Sequence, residues 1–355
     1  MHHYKLLSII LLLLIKSTFA QTWKQTGPVN FPINVSGQIN GIGRVSQIKF
    51  HPSLPNKLYA VSASGGLYVS NNTGNSWSLM NTDKFPSTAC ASVCIDYTND
   101  NIIYLSTGDA NYYGSDFGIY KTNDGGLNWL PANIGVGNRM ALEILMDPTN
   151  HNILVAATTD GIWRTTDGGT SWTNVKSGGA FKDMKRKPNT NSLFAVTASQ
   201  YFVSNDFGIT WNLITAGIFI PSGTNGLRLG VSAANNAIVY ILANGSNGVL
   251  FKSIDGGLNF TQVYSSSTQC IVCYDAAPSS SGQGNYNLGM NADPFDANHI
   301  YMVAHCLWES NDGGVSFQQK TEWYNELYPF IYKGSTKKSH RFKLSRTRRA
   351  YACII

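Results

Sequence analysis

The sequence predicts an all-β protein, a β-propeller of four-stranded blades, and three observations carry that prediction. One octapeptide pattern occurs six times, at residues 70–77, 122–129, 165–172, 204–211, 253–260 and 310–317. Its skeleton is Ser/Thr, any residue, Asp/Asn, any residue, Gly, any residue, Ser/Thr/Asn, aromatic. The third positions (Asn72, Asp124, Asp167, Asp206, Asp255 and Asp312) are 52, 43, 39, 49 and 57 residues apart, close to the period of about 40–50 residues that propeller blades show. A second motif, a polar Pro/Asn turn leading into an apolar strand, recurs upstream at 51–60, 147–156 and 293–302. No mature segment carries a long 3.6-residue apolar period, so almost no helix is expected.

Each element follows from local chemistry. An Asp close to a Gly favours a tight turn: the carboxylate accepts backbone N–H groups, and glycine adopts a positive φ without a Cβ clash. Strand-like segments such as 118–121 and 161–164 precede the octapeptides, so each octapeptide reads as a hairpin turn. Its closing aromatic (Trp77, Trp129, Trp172, Trp211, Phe260 or Phe317) is expected to pack between neighbouring sheets. A blade then reads inner strand, Pro/Asn turn, second strand, loop, third strand, octapeptide, outer strand.

The ends read differently. Residues 1–20 combine a weakly basic start, an apolar run at 6–15 and a small-residue site at 18–20, the pattern of a secretory signal cleaved before Gln21. No segment reaches the length of a comfortable transmembrane helix. The propeller is expected over 21–330. Residues 21–27 look like an outer strand whose hairpin partner lies elsewhere in the ring, so an incomplete ring and a seventh blade in the complete protein are expected. The basic stretch 331–355 has no blade pattern and reads as a disordered or non-native tail rather than an interaction arm.

The net charge of +6 belongs to the ends. Ten of the 26 basic residues lie in the signal and the tail, leaving 16 against 20 acidic ones in the propeller. That balance gives nucleic-acid binding little support. Export permits disulfides, and Cys90/Cys94 and Cys270/Cys273 are the nearest pairs among six cysteines that include Cys306 and Cys353. A lone Cys270-x-x-Cys273 is a weak metal or redox signal. Its apolar setting suits cysteines that act as small hydrophobes in strands.

The octapeptide resembles the Asp-box, or BNR repeat, of sialidases, xyloglucan-active glycosidases and sortilin/VPS10-type receptors. The chain is similar over residues 22–328 to exported bacterial Asp-box propellers, including those secreted by a type IX system. The resemblance implies the propeller more strongly than any activity. In xyloglucan-active relatives a catalytic Asp stands where this chain has Ala63, within 61–66, and a methyl group cannot transfer a proton. The sialidase Arg-Ile-Pro motif is absent near the start. The relatives also continue after the sixth repeat, which implies a truncated C-terminus here.

Candidate site residues come from the channel, because the repeated carboxylates share one structural task. Arg44, Arg139 and Arg228 stand at roughly equivalent starts of inner strands; they either ring the channel and bind an anionic or hydroxyl-rich ligand, or bond carbonyls of adjacent blades. The loop 107–118 offers Asp109 and Asp116 as hard oxygen ligands for calcium and Tyr112 and Tyr113 as sugar-stacking rings, against a plain self-bonded loop. Glu143 interrupts an apolar strand and is either an acid/base or the wet side of that strand. No other cofactor is expected. The function expected is non-enzymatic recognition of an extracellular polysaccharide or protein, with a glycoside hydrolase on β-glucan or xyloglucan and a propeller assembly factor as alternatives.

Overall fold

The computed structural model describes residues 44–109, 116–274, 276–278, 282 and 284–321. These residues form six sheets, each of four antiparallel strands in sequence order. Blade 1 comprises Val45–Phe50, Leu58–Ser62, Gly66–Ser70 and Ser78–Leu79. The first strands of blades 2 to 6 are Cys90–Ile95, Ala141–Met146, Asp183–Arg186, Leu227–Val231 and Gly289–Ala292. Successive first strands stand side by side, and all six blades contribute to one central cavity. Among the described residues helix is confined to Gly284–Asn287 and one 3-10 turn, Thr82–Lys84. The two ends of the chain, with the orphan strand at 21–27, the basic tail and any seventh blade, lie outside the described residues.

Every octapeptide forms the turn between the third and fourth strands of its blade. In blade 2 the Thr122 hydroxyl donates to Asp124 Oδ1 at 2.7 Å and accepts the Gly126 N–H at 3.0 Å. Asp124 Oδ1 also accepts the Asn128 N–H at 2.9 Å, and Oδ2 accepts the Asn128 amide at 2.8 Å. The same bonds recur around Asp167 and Asp312. In blade 1, Asn72 accepts the Ser76 N–H with one side-chain atom and donates to the Ser76 hydroxyl with the other. The fourth position has a positive φ even where it is not glycine, at Thr73 (60°) and Phe207 (51°).

From blade 2 onward the closing aromatics join one blade to the one before it, whereas Trp77 packs within blade 1. Trp172 of blade 3 is 4 % exposed and packs with Tyr104 and Ile119 of blade 2. Its indole N–H donates to the Ala132 carbonyl at 2.9 Å. Phe260 meets Tyr201 edge-on at 5.1 Å, and Phe317 meets Tyr264 in the same way at 5.1 Å. The segments entering blades 3 and 5 pass close to the backbone of these residues, with the Trp172 and Phe260 N–H groups donating to the Ile134 and Ala216 carbonyls. A Cβ on Gly135 would lie 2.1 Å from the Trp172 carbonyl oxygen, and one on Gly217 would lie 1.7 Å from that of Phe260.

Side chains also rivet the first strands together. Ser92 donates to the Ala141 carbonyl at 2.7 Å. Gln47 Oε1 accepts the Val93 N–H at 2.8 Å, and Asp183 Oδ2 accepts the Leu229 N–H at 2.9 Å. An edge strand facing a polar channel has backbone groups to satisfy, and these polar side chains reach across to do so.

Candidate functional site: the mouth of the central channel

The first strands all enter the channel from the same end. Residues at or just before their starts therefore gather around one mouth, a cavity of about 320 Å³. Arg44, Asp109, Glu143, Lys182, Asp183 and Arg228 supply most of its charge, and Lys185 adds another cation.

The carboxylates are already engaged. Glu143, 3 % exposed, accepts from Lys49 Nζ at 2.6 Å and Gln47 Nε2 at 3.0 Å. Asp183 holds the Leu229 N–H, and Lys185 Nζ lies 3.4 Å from its other oxygen. Burial alone would lower the Lys185 pKa, but Asp183 and Glu143 outweigh it and raise it. Asp109 Oδ1 accepts from Arg44 at 2.5 Å.

Part of the cationic lining is left unsatisfied. Lys182 Nζ has no hydrogen-bond partner among the described residues. Burial, then the nearby Arg228 charge, pushes its pKa down. Arg228 donates Nε to the Leu288 carbonyl at 2.8 Å and Nη1 to the Leu227 carbonyl at 2.9 Å, and its Nη2 has no hydrogen-bond partner among the described residues. Burial lowers its pKa, Asp183 opposes that, and Arg44 adds to it. Arg44 stacks over Tyr286 at 4.3 Å and donates Nη1 to the Tyr286 carbonyl at 3.0 Å, while its buried Nε finds no acceptor. Buried like charges of this kind are relieved by an anion that accepts from two of them.

The three sequence-selected arginines separate. Arg44 and Arg228 line the mouth, and Arg139 does not. The Arg44 carbonyl accepts the Ala63 N–H, whereas in blade 3 the equivalent carbonyl belongs to Met140, one residue after Arg139. Strand alternation turns Arg139 the other way. It ion-pairs with Asp160, stacks over Trp163 at 5.0 Å and donates to the Val136 carbonyl at 2.6 Å. The three positions are thus not equivalent in register. Arg228 lies deeper still, opposite Leu242. Lys182, missed in the sequence, joins Arg44 and Arg228 at the mouth, its backbone N–H donating to the Val196 carbonyl; its sign was its place directly before the inner strand Asp183–Arg186. Ala63 is 5 % exposed beside Arg44.

The calcium candidates part as well. Asp109 is committed to a guanidinium. Asp116 is half-buried, and burial pushes its carboxyl pKa up. No group of three or more His, Cys, Asp or Glu residues is placed to hold a metal among the described residues. Tyr112 and Tyr113 lie outside them. Cys270 and Cys273 depart from the expected strand thiols: they form a disulfide in the loop leading to blade 6, with Cα atoms 5.5 Å apart. Cys90 and Cys94 are buried thiols, their pKa values pushed up to about 12 by burial, and Cys306 is buried near the disulfide.

The chain matches no protein-family model and no curated protein. Solved structures similar to it share the propeller. A GH74 enzyme from Niastella koreensis is 19 % identical with a TM-score of 0.59, covering 77 % of this chain and 46 % of its own. The GH74 xyloglucanase from Xanthomonas campestris is 14 % identical with a TM-score of 0.51, covering 77 % and 52 %. YCF48 bound to D1 peptide is 18 % identical with a TM-score of 0.54, covering 82 % and 87 %. The chain therefore spans about half the length of these GH74 enzymes. No helix among the described residues is long and apolar enough to cross a membrane.

Proposed function

We propose that this chain is a non-enzymatic recognition module, working outside the cytoplasm, that receives a carboxylate-bearing polysaccharide or protein at the channel mouth. One observation carries the reading: the mouth's carboxylates are all committed to internal partners, while Lys182 and Arg228 keep unused donors. An unspent lysine beside an unspent guanidinium edge matches a single carboxylate. Glycoside hydrolysis would instead need two carboxyl groups free to flank one bond.

The test is calorimetric titration with acidic and neutral oligosaccharides and with acidic peptides. Binding confined to acidic ligands, and lost in the double variant Lys182→Gln/Arg228→Gln, is the expected result. Equal binding of a neutral xyloglucan oligosaccharide by the double variant would sink the reading. A second reading, a glycosidase-like enzyme, draws on the upward shift at Asp116, the direction a general acid needs. Reducing-end release from xyloglucan that disappears in Asp116→Asn would establish it.

A further inference from the structure

The opposite mouth of the channel has a different chemistry. There the first strands of blades 1 to 4 end, and a second cavity of about 300 Å³ opens. Val93, Ile95 and Ile144 form its buried floor, with the half-buried Phe50, Leu145 and Met146 around them. Pro52 and Pro148, from two of the Pro/Asn turns, stiffen its wall. Two cations border this apolar surface. Lys49 is neutralised by Glu143 at 2.6 Å. Arg186, half-buried, has no hydrogen-bond or ion-pair partner among the described residues.

A cavity this size is at the lower end of small-ligand pockets, about 300–1,000 Å³. It takes one anchor group rather than an extended acyl chain. Interfaces commonly rest on one such anchor, an aromatic ring in a desolvated pocket. The uncompensated guanidinium calls for a negative charge within a few ångströms of that anchor. The C-terminal residue of a peptide carries both on a single Cα.

We propose that this second mouth docks a peptide whose C-terminal aromatic side chain fills the apolar floor while its α-carboxylate pairs with Arg186. The site is separate from the anion-binding mouth, and its occupancy does not depend on it. Calorimetry with the full chain tests this, using N-acetyl-Gly-Gly-Phe as the free acid, its C-terminal amide, and N-acetyl-Gly-Gly-Ala as the acid. The Phe acid should bind roughly tenfold more tightly than either comparison peptide. Arg186→Gln should bring the Phe acid to the level of the amide, and Leu145→Trp, which fills the floor, should abolish binding. The same order of affinities should persist in the Lys182→Gln/Arg228→Gln background, where the first mouth has lost its carboxylate donors and only the second mouth is read.

Among the described residues Arg186 makes no hydrogen bond that its replacement would break, so an unchanged melting temperature separates a binding defect from misfolding. Equal affinity for acid and amide, no effect of Arg186→Gln, loss of binding in the Lys182/Arg228 variant, or binding of laurate without binding of the Phe acid would each overturn the proposal.

Discussion

At the scale of single residues, the octapeptide turns hold both strain and charge. Thr73 is β-branched and sits at φ 60°, a conformation that costs an L-residue about 1–2 kcal/mol. Its backbone N–H donates to the Asn56 carbonyl at 2.8 Å, a bond that glycine would keep. Thr73→Gly should therefore stabilise the protein by about 1 kcal/mol, readable as a higher denaturant midpoint at unchanged slope. The turn carboxylates predict acid sensitivity. The Asn128 backbone N–H, then the Asn128 side chain and Thr122, hold Asp124 down at about 2, and hydrogen bonds outweigh burial to hold Asp167 and Asp312 at about 2. Each is depressed below its ordinary 3.8, so the stabilisation is complete above about pH 4 and is lost as pH falls towards 2. Melting temperature measured from pH 5 to 2 should drop across that window. Changing the three residues to Asn together should flatten the drop.

At the scale of elements, the blade-to-blade joint sets the backbone of a closing aromatic residue against a glycine. Gly217 has φ +72°, and an added Cβ would meet the Phe260 carbonyl oxygen at 1.7 Å. That neighbour is backbone, so relief requires moving a blade edge. Gly217→Ala should destabilise by about 2 kcal/mol or more, measured by chemical denaturation. This joint also marks how far the sequence could be read. The turn and the ring repeat with fixed spacing, so the hairpins and their number were legible. The partner glycines lie in loops of unequal length and have no fixed offset from the aromatic residue whose backbone they meet. The disulfide was illegible for a related reason. Its apolar surroundings match a strand, whereas the bridge closes in an irregular segment of a connection longer than those of the other blades.

At the scale of the whole molecule, the ring sorts residues by which end of the channel they face. Periodicity located the inner strands, and with them Glu143, Arg44 and Arg228. It could not fix register to one residue, and one residue is the whole difference between Arg44 at the mouth and Arg139 beside Trp163. The mouth makes a further prediction. Lys182 loses its proton below the ordinary lysine value of 10.5, because burial and Arg228 disfavour its charged form. Affinity for an acidic ligand should consequently weaken as pH rises towards 10, sooner than a surface lysine would allow. It should weaken with salt as well. Titrations at pH 7, 9 and 10 check this, and the pH effect should vanish in Lys182→Gln. The pairing of Lys49 with buried Glu143 has a mechanical meaning. One partner lines each cavity, and their contact stands between the two. One ion pair is therefore a wall common to both sockets, and a substitution at either of its residues alters the lining of both.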